Sequence, residues 1–290
     1  MNKFKGSGVA LVTPFNPDKS IDFQSIKKLV QFHVENETDF LVIQGTTGES
    51  PTLSEKEKKE VLHTVLDTNN GKLPIVFGVG GNDTTLIGSK IQDIPEGVDG
   101  ILSVSPYYNK PTQRGIYEHY KYISERTELP VILYNVPGRT SSNIATETTL
   151  RLAELKNIVA VKEASGNMEQ IMDILANAPK DFSVLSGDDA LTFPMMTMGA
   201  TGVISVVANA FPRLFKKMVA CLLKGEIEEA KAIHFKLIPI TKMFFQEGNP
   251  AGVKVVLEKL NLLQGHLRLP LLPVSAELKF KIEEEYSRLL

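Results

Sequence analysis

The chain has 290 residues, of which 42 % are hydrophobic and 23 % charged, with five histidines and one cysteine. A net charge of −2 leaves no basic excess for a nucleic acid or an anionic membrane surface, and no apolar run reaches the roughly 18 residues that a membrane helix needs. Cys221 has no partner for an internal disulfide, and Pro14, with no small-residue cleavage site near it, makes the amino terminus a poor signal peptide, so the reading is a cytoplasmic protein.

In chain order, eight short β-branched runs read as strands. They are GVALVTPF (8–15), DFLVIQGTT (39–47), PIVFGVGG (74–81), DGILSVSP (99–106), PVILYNVP (130–137), IVAVKEAS (158–165), FSVLSGDD (182–189) and GVISVVAN (202–209). Amphipathic segments such as FQSIKKLVQFHVEN, SEKEKKEVLHTVLDTN, GIYEHYKYISER and EQIMDILANA alternate with them. The runs are apolar without alternation, as a parallel sheet covered on both faces requires. Repeated βαβ units predict a (β/α)8 TIM barrel, an α/β fold. A doubly wound sheet is the alternative; the loop GVGGND does not support it, because Asp83 stands where G-x-G-x-x-G needs its last glycine. Beyond residue 210 the pattern is helical. We expect a catalytic barrel over 1–224 and a C-terminal helical appendage over 225–290, packed on the barrel or on a neighbouring subunit.

The histidines, His33, His63, His119, His234 and His266, lack ligand-spaced companions, so neither a metal site nor a Ser-His-Asp device is expected. Cys221 lies in an amphipathic stretch and reads as a core thiol. The polar residues gather instead at the carboxyl ends of the strands, where such barrels carry their chemistry. Strand two ends in GTTGES, strand four in SPYYNKP, strand five in LYNVPGRT and strand seven in SGDD. Each has a plain alternative: GTTGES as a turn capping a helix, Tyr134 as a barrel-filling ring, Arg139 as a solvated charge. Asp188–Asp189 read better as a helix N-cap than as chemistry.

Lys162 is harder to dismiss. It continues the apolar run of strand six. The plain alternatives are that it snorkels to the barrel rim or pairs with Glu163, but Glu163 points to the opposite face, which weakens the pairing. Parity and spacing set Lys162 beside Tyr134 on the adjacent strand. A lysine in a tight, partly apolar site has its ammonium form disfavoured by desolvation, and a neutral amine attacks carbonyls to form imines. Lys162 therefore reads as a Schiff-base nucleophile, with Tyr134 within reach to shuttle protons.

Together, GTTGES, PYYNKP, YNVPGRT, the VAVKEAS lysine, SGDD and GVISV resemble the dihydrodipicolinate synthase family of class I pyruvate-dependent aldolases, in order and spacing and over essentially the whole chain. The resemblance implies that Lys162 condenses with pyruvate and that the enamine attacks L-aspartate 4-semialdehyde. The product is 4-hydroxy-tetrahydrodipicolinate, and no cofactor or metal is needed. It implies Tyr134 as general acid/base, and Thr46 relaying its proton to Tyr108 from an adjacent subunit. Thr47 would hold the pyruvate carboxylate, Gly187 and the Ile204 carbonyl would line the pocket, and Asn249 lies in a matching NP loop. Arg139 would grip the carboxylate of the aldehyde substrate and so argues against N-acetylneuraminate lyase or sugar-acid aldolase activity. A pyridoxal-phosphate barrel enzyme and a non-catalytic binder remain as readings from other classes. The family also implies a homotetramer, a dimer of dimers, and an effector cleft at Ser50, Asn82 and Tyr107. There, Leu86 stands in place of a glutamate and Glu55 in place of histidine or tryptophan, so weak or absent inhibition by L-lysine is expected.

Overall fold

A computed structural model describes residues 3–289. Eight strands alternate with helices: β1 (Gly6–Ala10), α1 (Phe23–Glu35), β2 (Phe40–Ile43), α2 (Glu55–Asn69), β3 (Ile75–Gly78), α3 (Thr84–Gln92), β4 (Gly100–Val104), α4 (Gln113–Ser124) and β5 (Val131–Asn135). The order continues through α5 (Pro137–Thr140), α6 (Thr146–Ala153), β6 (Ile158–Glu163), α7 (Met168–Asn177), β7 (Ser183–Ser186), α8 (Thr192–Thr197) and β8 (Gly202–Ser205). Four helices close the chain: α9 (Pro212–Lys224), α10 (Ile227–Gln246), α11 (Ala251–Lys259) and α12 (Ala276–Leu289). The strands form one closed parallel barrel in sequence order, with β8 paired to β1. The chain is the TIM barrel with C-terminal helices that the sequence predicts.

All eight strands stand where expected, but most stop short of the expected carboxyl ends. The second extends to Ile43 rather than 47, because Gln44 takes φ +63° and leaves the extended conformation. The first begins earlier, at Gly6, and ends at Ala10; after Leu11 donates to Val42 the chain leaves the ladder ahead of Pro14, which has no N–H to give. These early exits matter for function. They free the strand ends to become turns that face the barrel mouth.

The strands are apolar on both faces because each face has its own core. Phe40, Val42, Val76, Leu102, Ile132, Ala160, Leu185 and Ile204 fill the barrel. Leu41, Ile43, Ile101, Leu133, Val161, Val184 and Val203 pack outward under the helices. The large Phe40 ring fits inside only because Gly8 faces it: a Cβ there would lie 2.2 Å from the ring. Helix α1 starts at Asp22, whose carboxylate accepts from the Ser25 N–H, and buries Ile26, Leu29 and Val30 against the strands. Each such side chain stabilises the layer by roughly 1.5–3 kcal/mol. Helix α2 starts with a reciprocal Ser54–Glu57 capping box. Gly225, at φ +79°, turns the chain from α9 into α10, which packs on α9 and α12.

Candidate active site

The centre of the site is a pair of side chains on adjacent strands. Tyr134 on β5 pairs in register with Lys162 on β6, and both point into the barrel. Lys162 is 6 % exposed and Tyr134 7 %. The Lys162 Nζ sits 4.4 Å from the centre of the Tyr134 ring, in reach of its negative face. Among the described residues, Lys162 has no hydrogen-bonding or ion-pair partner. Glu163, on the outer face, is fully engaged elsewhere. It accepts from Asn135 at 3.0 Å, Gln170 at 3.2 Å and the Ser165 N–H at 2.8 Å. A buried carboxylate with three sets of donors is satisfied, so it does not draw Lys162 away from the interior.

Gly187 closes in from β7. A Cβ at that position would lie 3.0 Å from the Lys162 Cε and 2.7 Å from Ala164. Glycine is therefore the residue that lets the next strand's turn approach the lysine stem. Ile204 lies in the barrel interior, 1 % exposed, opposite Gly8.

From β2, Gly45 leads into a single 3₁₀ turn over Thr46–Gly48, ended by Glu49 in the left-handed region at φ +52°. The turn is pinned twice from other segments. The Thr13 hydroxyl donates to the Gly48 carbonyl at 2.7 Å, and Asn249 Nδ2 donates to Thr47 Oγ1 at 3.0 Å. With its oxygen accepting from Asn249, the Thr47 hydroxyl keeps its proton free to donate, as an anion would require. GTTGES does not cap α2, since Ser54 does that.

Arg139 sits on the one-turn helix α5, held by the Thr140 hydroxyl bonding to the carbonyls of Val136 and Ser142. Its guanidinium is exposed, and among the described residues no carboxylate pairs with it. A cavity of about 590 Å³ joins this region to the cleft between α2 and α3. Thr46, Tyr134, Arg139, Ser50 and Tyr107 line it; Lys162, Thr47, Gly187 and Ile204 do not.

Tyr108 is not brought to the site. It is 88 % exposed, at φ +72°, turned away from the barrel while Tyr107 lines the cavity. Asn82 anchors this loop by donating to the Tyr107 carbonyl at 3.2 Å. In the cleft, Glu55 already binds two ammonium groups, Lys58 and Lys90, each at 3.0 Å. Against the desolvation that burial imposes, the Lys90 and Lys58 hydrogen bonds hold the Glu55 carboxyl below the usual glutamate range.

The two aspartates of SGDD part ways. Asp188 accepts from the Ala190 and Leu191 N–H groups and closes a turn; it is not the expected helix N-cap, since α8 begins after Leu191 with no side-chain cap. Asp189 does not cap: it is buried and accepts from Val206 and Val207 at the end of β8, and burial pushes its carboxyl up to about 6. Sequence reasoning also missed Gln44, a buried residue at φ +63° on the cavity wall with both amide atoms unpartnered. Cys221 on α9, Glu226 in the following turn and Glu229 on α10 cluster, but Lys217 engages Glu229 at 2.6 Å, and burial pushes the thiol up.

Residues 3–288 match the model of the dihydrodipicolinate synthetase family. The 4-hydroxy-tetrahydrodipicolinate synthase of Parabacteroides distasonis is 52 % identical over 282 residues, covering 97 % of this chain and 95 % of that protein. Dihydrodipicolinate synthase from Aquifex aeolicus superimposes with a TM-score of 0.95 at 42 % identity, over 98 % of both chains. The chloride-inhibited dihydrodipicolinate synthase from Acinetobacter baumannii, complexed with pyruvate, gives 0.95 at 37 % identity, again over 98 % of both chains. On both the sequence match and the barrel just described, this chain belongs to the dihydrodipicolinate synthetase family.

Proposed function

We propose that this chain is a lyase-type enzyme of lysine and diaminopimelate biosynthesis that condenses pyruvate with L-aspartate 4-semialdehyde to give 4-hydroxy-tetrahydrodipicolinate. The observation that carries the reading is the register pair of Tyr134 and Lys162, a buried amine without counter-ion set against a phenol. Lys162 Nζ attacks the keto carbon of pyruvate, forming a C–N bond, and water leaves to give the imine. The iminium withdraws electrons from the adjacent methyl group, which loses a proton and becomes the enamine carbon. That carbon attacks the aldehyde; the substrate's amino group then closes the ring and releases Lys162.

Tyr134 is the acid/base that moves protons in these steps. Thr46, beside it in the cavity wall, passes protons on to Tyr108 of a neighbouring copy. The free Thr47 hydroxyl proton and nearby backbone hold the pyruvate carboxylate, with Gly187 and the Ile204 carbonyl completing the pocket. Arg139, unpaired at the rim, takes the carboxylate of the aldehyde substrate, which favours the semialdehyde over the sugar-acid substrates of other pyruvate aldolases. Borohydride added with pyruvate tests the reading: a reduced pyruvyl group is expected on Lys162 in the peptide map. An adduct on another lysine, or none, overturns it.

Exposed Tyr108, with Leu86 and Tyr107 near it on the same rim, supports a working unit larger than one chain; we assign a homotetramer built as a dimer of dimers. Mixing inactive Tyr108→Phe and inactive Lys162→Ala chains should restore activity once subunits exchange, and silence after demonstrated exchange would remove Tyr108 from the relay. Ser50, Asn82 and Tyr107 form the corresponding effector cleft. The cytoplasm, where Cys221 stays reduced, is the compartment we assign.

A further inference from the structure

The fold buries a second lysine that the reaction does not use. Lys254 on α11 is 0 % exposed, and all three of its N–H donors are occupied. They go to Glu49 at 2.6 Å, to the Thr13 carbonyl at 2.8 Å and to the His266 carbonyl at 2.8 Å. The other oxygen of Glu49, itself 2 % exposed, accepts from the Arg268 N–H at 3.1 Å. Desolvation lowers the Lys254 ammonium from the ordinary lysine range, opposed by the charge and hydrogen bond of Glu49.

A buried ion pair contributes little net stability compared with an apolar pair of the same shape, so its presence asks for another account. Glu49 supplies one. It is a non-glycine residue at φ +52°, a conformation that persists only where the surroundings over-determine it. It ends the turn that carries Thr46 and Thr47. The same C-terminal segment reaches the turn a second time, through Asn249 and the Thr47 hydroxyl.

We propose that the Glu49–Lys254 pair is a positioning device, by which α11 fixes the Thr46–Gly48 turn at the depth from which its hydroxyls and backbone N–H groups meet the keto acid. The inference rests on the reading of Thr46 and Thr47 as substrate-contacting groups. Glu49 and Lys254 touch no substrate. They act through the turn, so their loss should appear in pyruvate binding and in the mobility of residues 46–49.

The test is the shape-preserving neutral pair Glu49→Gln/Lys254→Met, with Glu49→Asp as the second variant. Glu49→Asp keeps the charge but draws the carboxylate back by one methylene, so it serves if the double variant does not fold. Three readouts are taken: pyruvate KM, borohydride trapping on Lys162, and amide hydrogen exchange of residues 46–49. The expected result is faster exchange confined to the turn, a pyruvate KM raised by about tenfold or more, and trapping on Lys162 preserved at saturating pyruvate. Unchanged exchange in the turn of a folded variant overturns the device. Faster exchange with unchanged pyruvate KM upholds it and removes Thr46 and Thr47 from the pyruvate site instead. Lys254→Arg, which keeps a buried cation, should recover part of the KM.

Discussion

Among the described residues two lysines are buried, and their surroundings make opposite use of them. Lys254 has a carboxylate and two carbonyls on its three N–H bonds. Lys162 has the face of Tyr134 at 4.4 Å and, among the described residues, no acceptor. Burial alone therefore assigns no role to a lysine. The inventory of partners does: a saturated ammonium is a structural cross-link, while a buried lysine with no acceptor in the protein is left to meet a substrate carbonyl.

The widest separation between the two should come from replacing each with a neutral residue. Lys162→Met should abolish turnover, a loss of at least about a thousandfold if the imine is obligatory, while thermal melting stays at or above wild type because a buried polar group without a hydrogen-bonding partner leaves the core. Lys254→Met alone should do the reverse to stability. It leaves the Glu49 carboxylate buried without its counter-charge, at a cost of about 3–5 kcal/mol measured by denaturant unfolding. If Lys162→Met is as destabilised as Lys254→Met, the comparison fails.

A smaller effect is expected at Arg139, an exposed cation with no carboxylate partner among the described residues. Arg139→Ala should lower kcat/KM for the semialdehyde by about 2–4 kcal/mol, since a charged pair formed only with substrate is lost. Pyruvate trapping on Lys162 should survive; its loss would place Arg139 in the pyruvate site instead. Smaller again is a stability effect at Asp189, whose carboxyl burial raises to about 6. A raised carboxyl favours the folded state while protonated. That contribution is fully present below the ordinary aspartate value and is lost as pH rises through about 6. Asp189→Asn should therefore flatten the stability profile between about pH 4 and 6, and an unchanged slope there would count against it.

The smallest response is expected from added L-lysine. The cleft that would take it already holds Lys58 and Lys90 on the Glu55 carboxylate, and Leu86 offers no acceptor. Initial rates at subsaturating pyruvate should change little. Strong inhibition in the sub-millimolar range would mean that a free ammonium displaces Lys58 or Lys90, so that a saturated carboxylate is not closed to competition.

Much of the site could be read along the chain because its residues sit within single motifs. Tyr134 and Lys162 were legible from strand parity, since side chains alternate along each strand and parallel neighbours share a register. Glu163 was legible as an outward residue for the same reason. Asp189 was not, because its donors, the Val206 and Val207 N–H groups, lie just beyond β8, which no local rule connects to it. Gln44 was missed because a left-handed residue at a strand end leaves no compositional mark when it is neither glycine nor asparagine. Tyr108 was singled out by the resemblance, and the single chain leaves it facing solvent.

By itself, then, the sequence determined the barrel, the eight strand positions and the lysine–phenol pair, since these follow from apolar periodicity and strand parity, which are properties of short segments. Only the tertiary structure decided that the Thr46–Gly48 turn is held from α11, two hundred residues further on. Glu49 and Lys254 each look like ordinary surface charges in the sequence. What makes them a buried pair is that the turn after β2 and helix α11 meet in the fold, and a long-range contact between two charges has no local period to announce it.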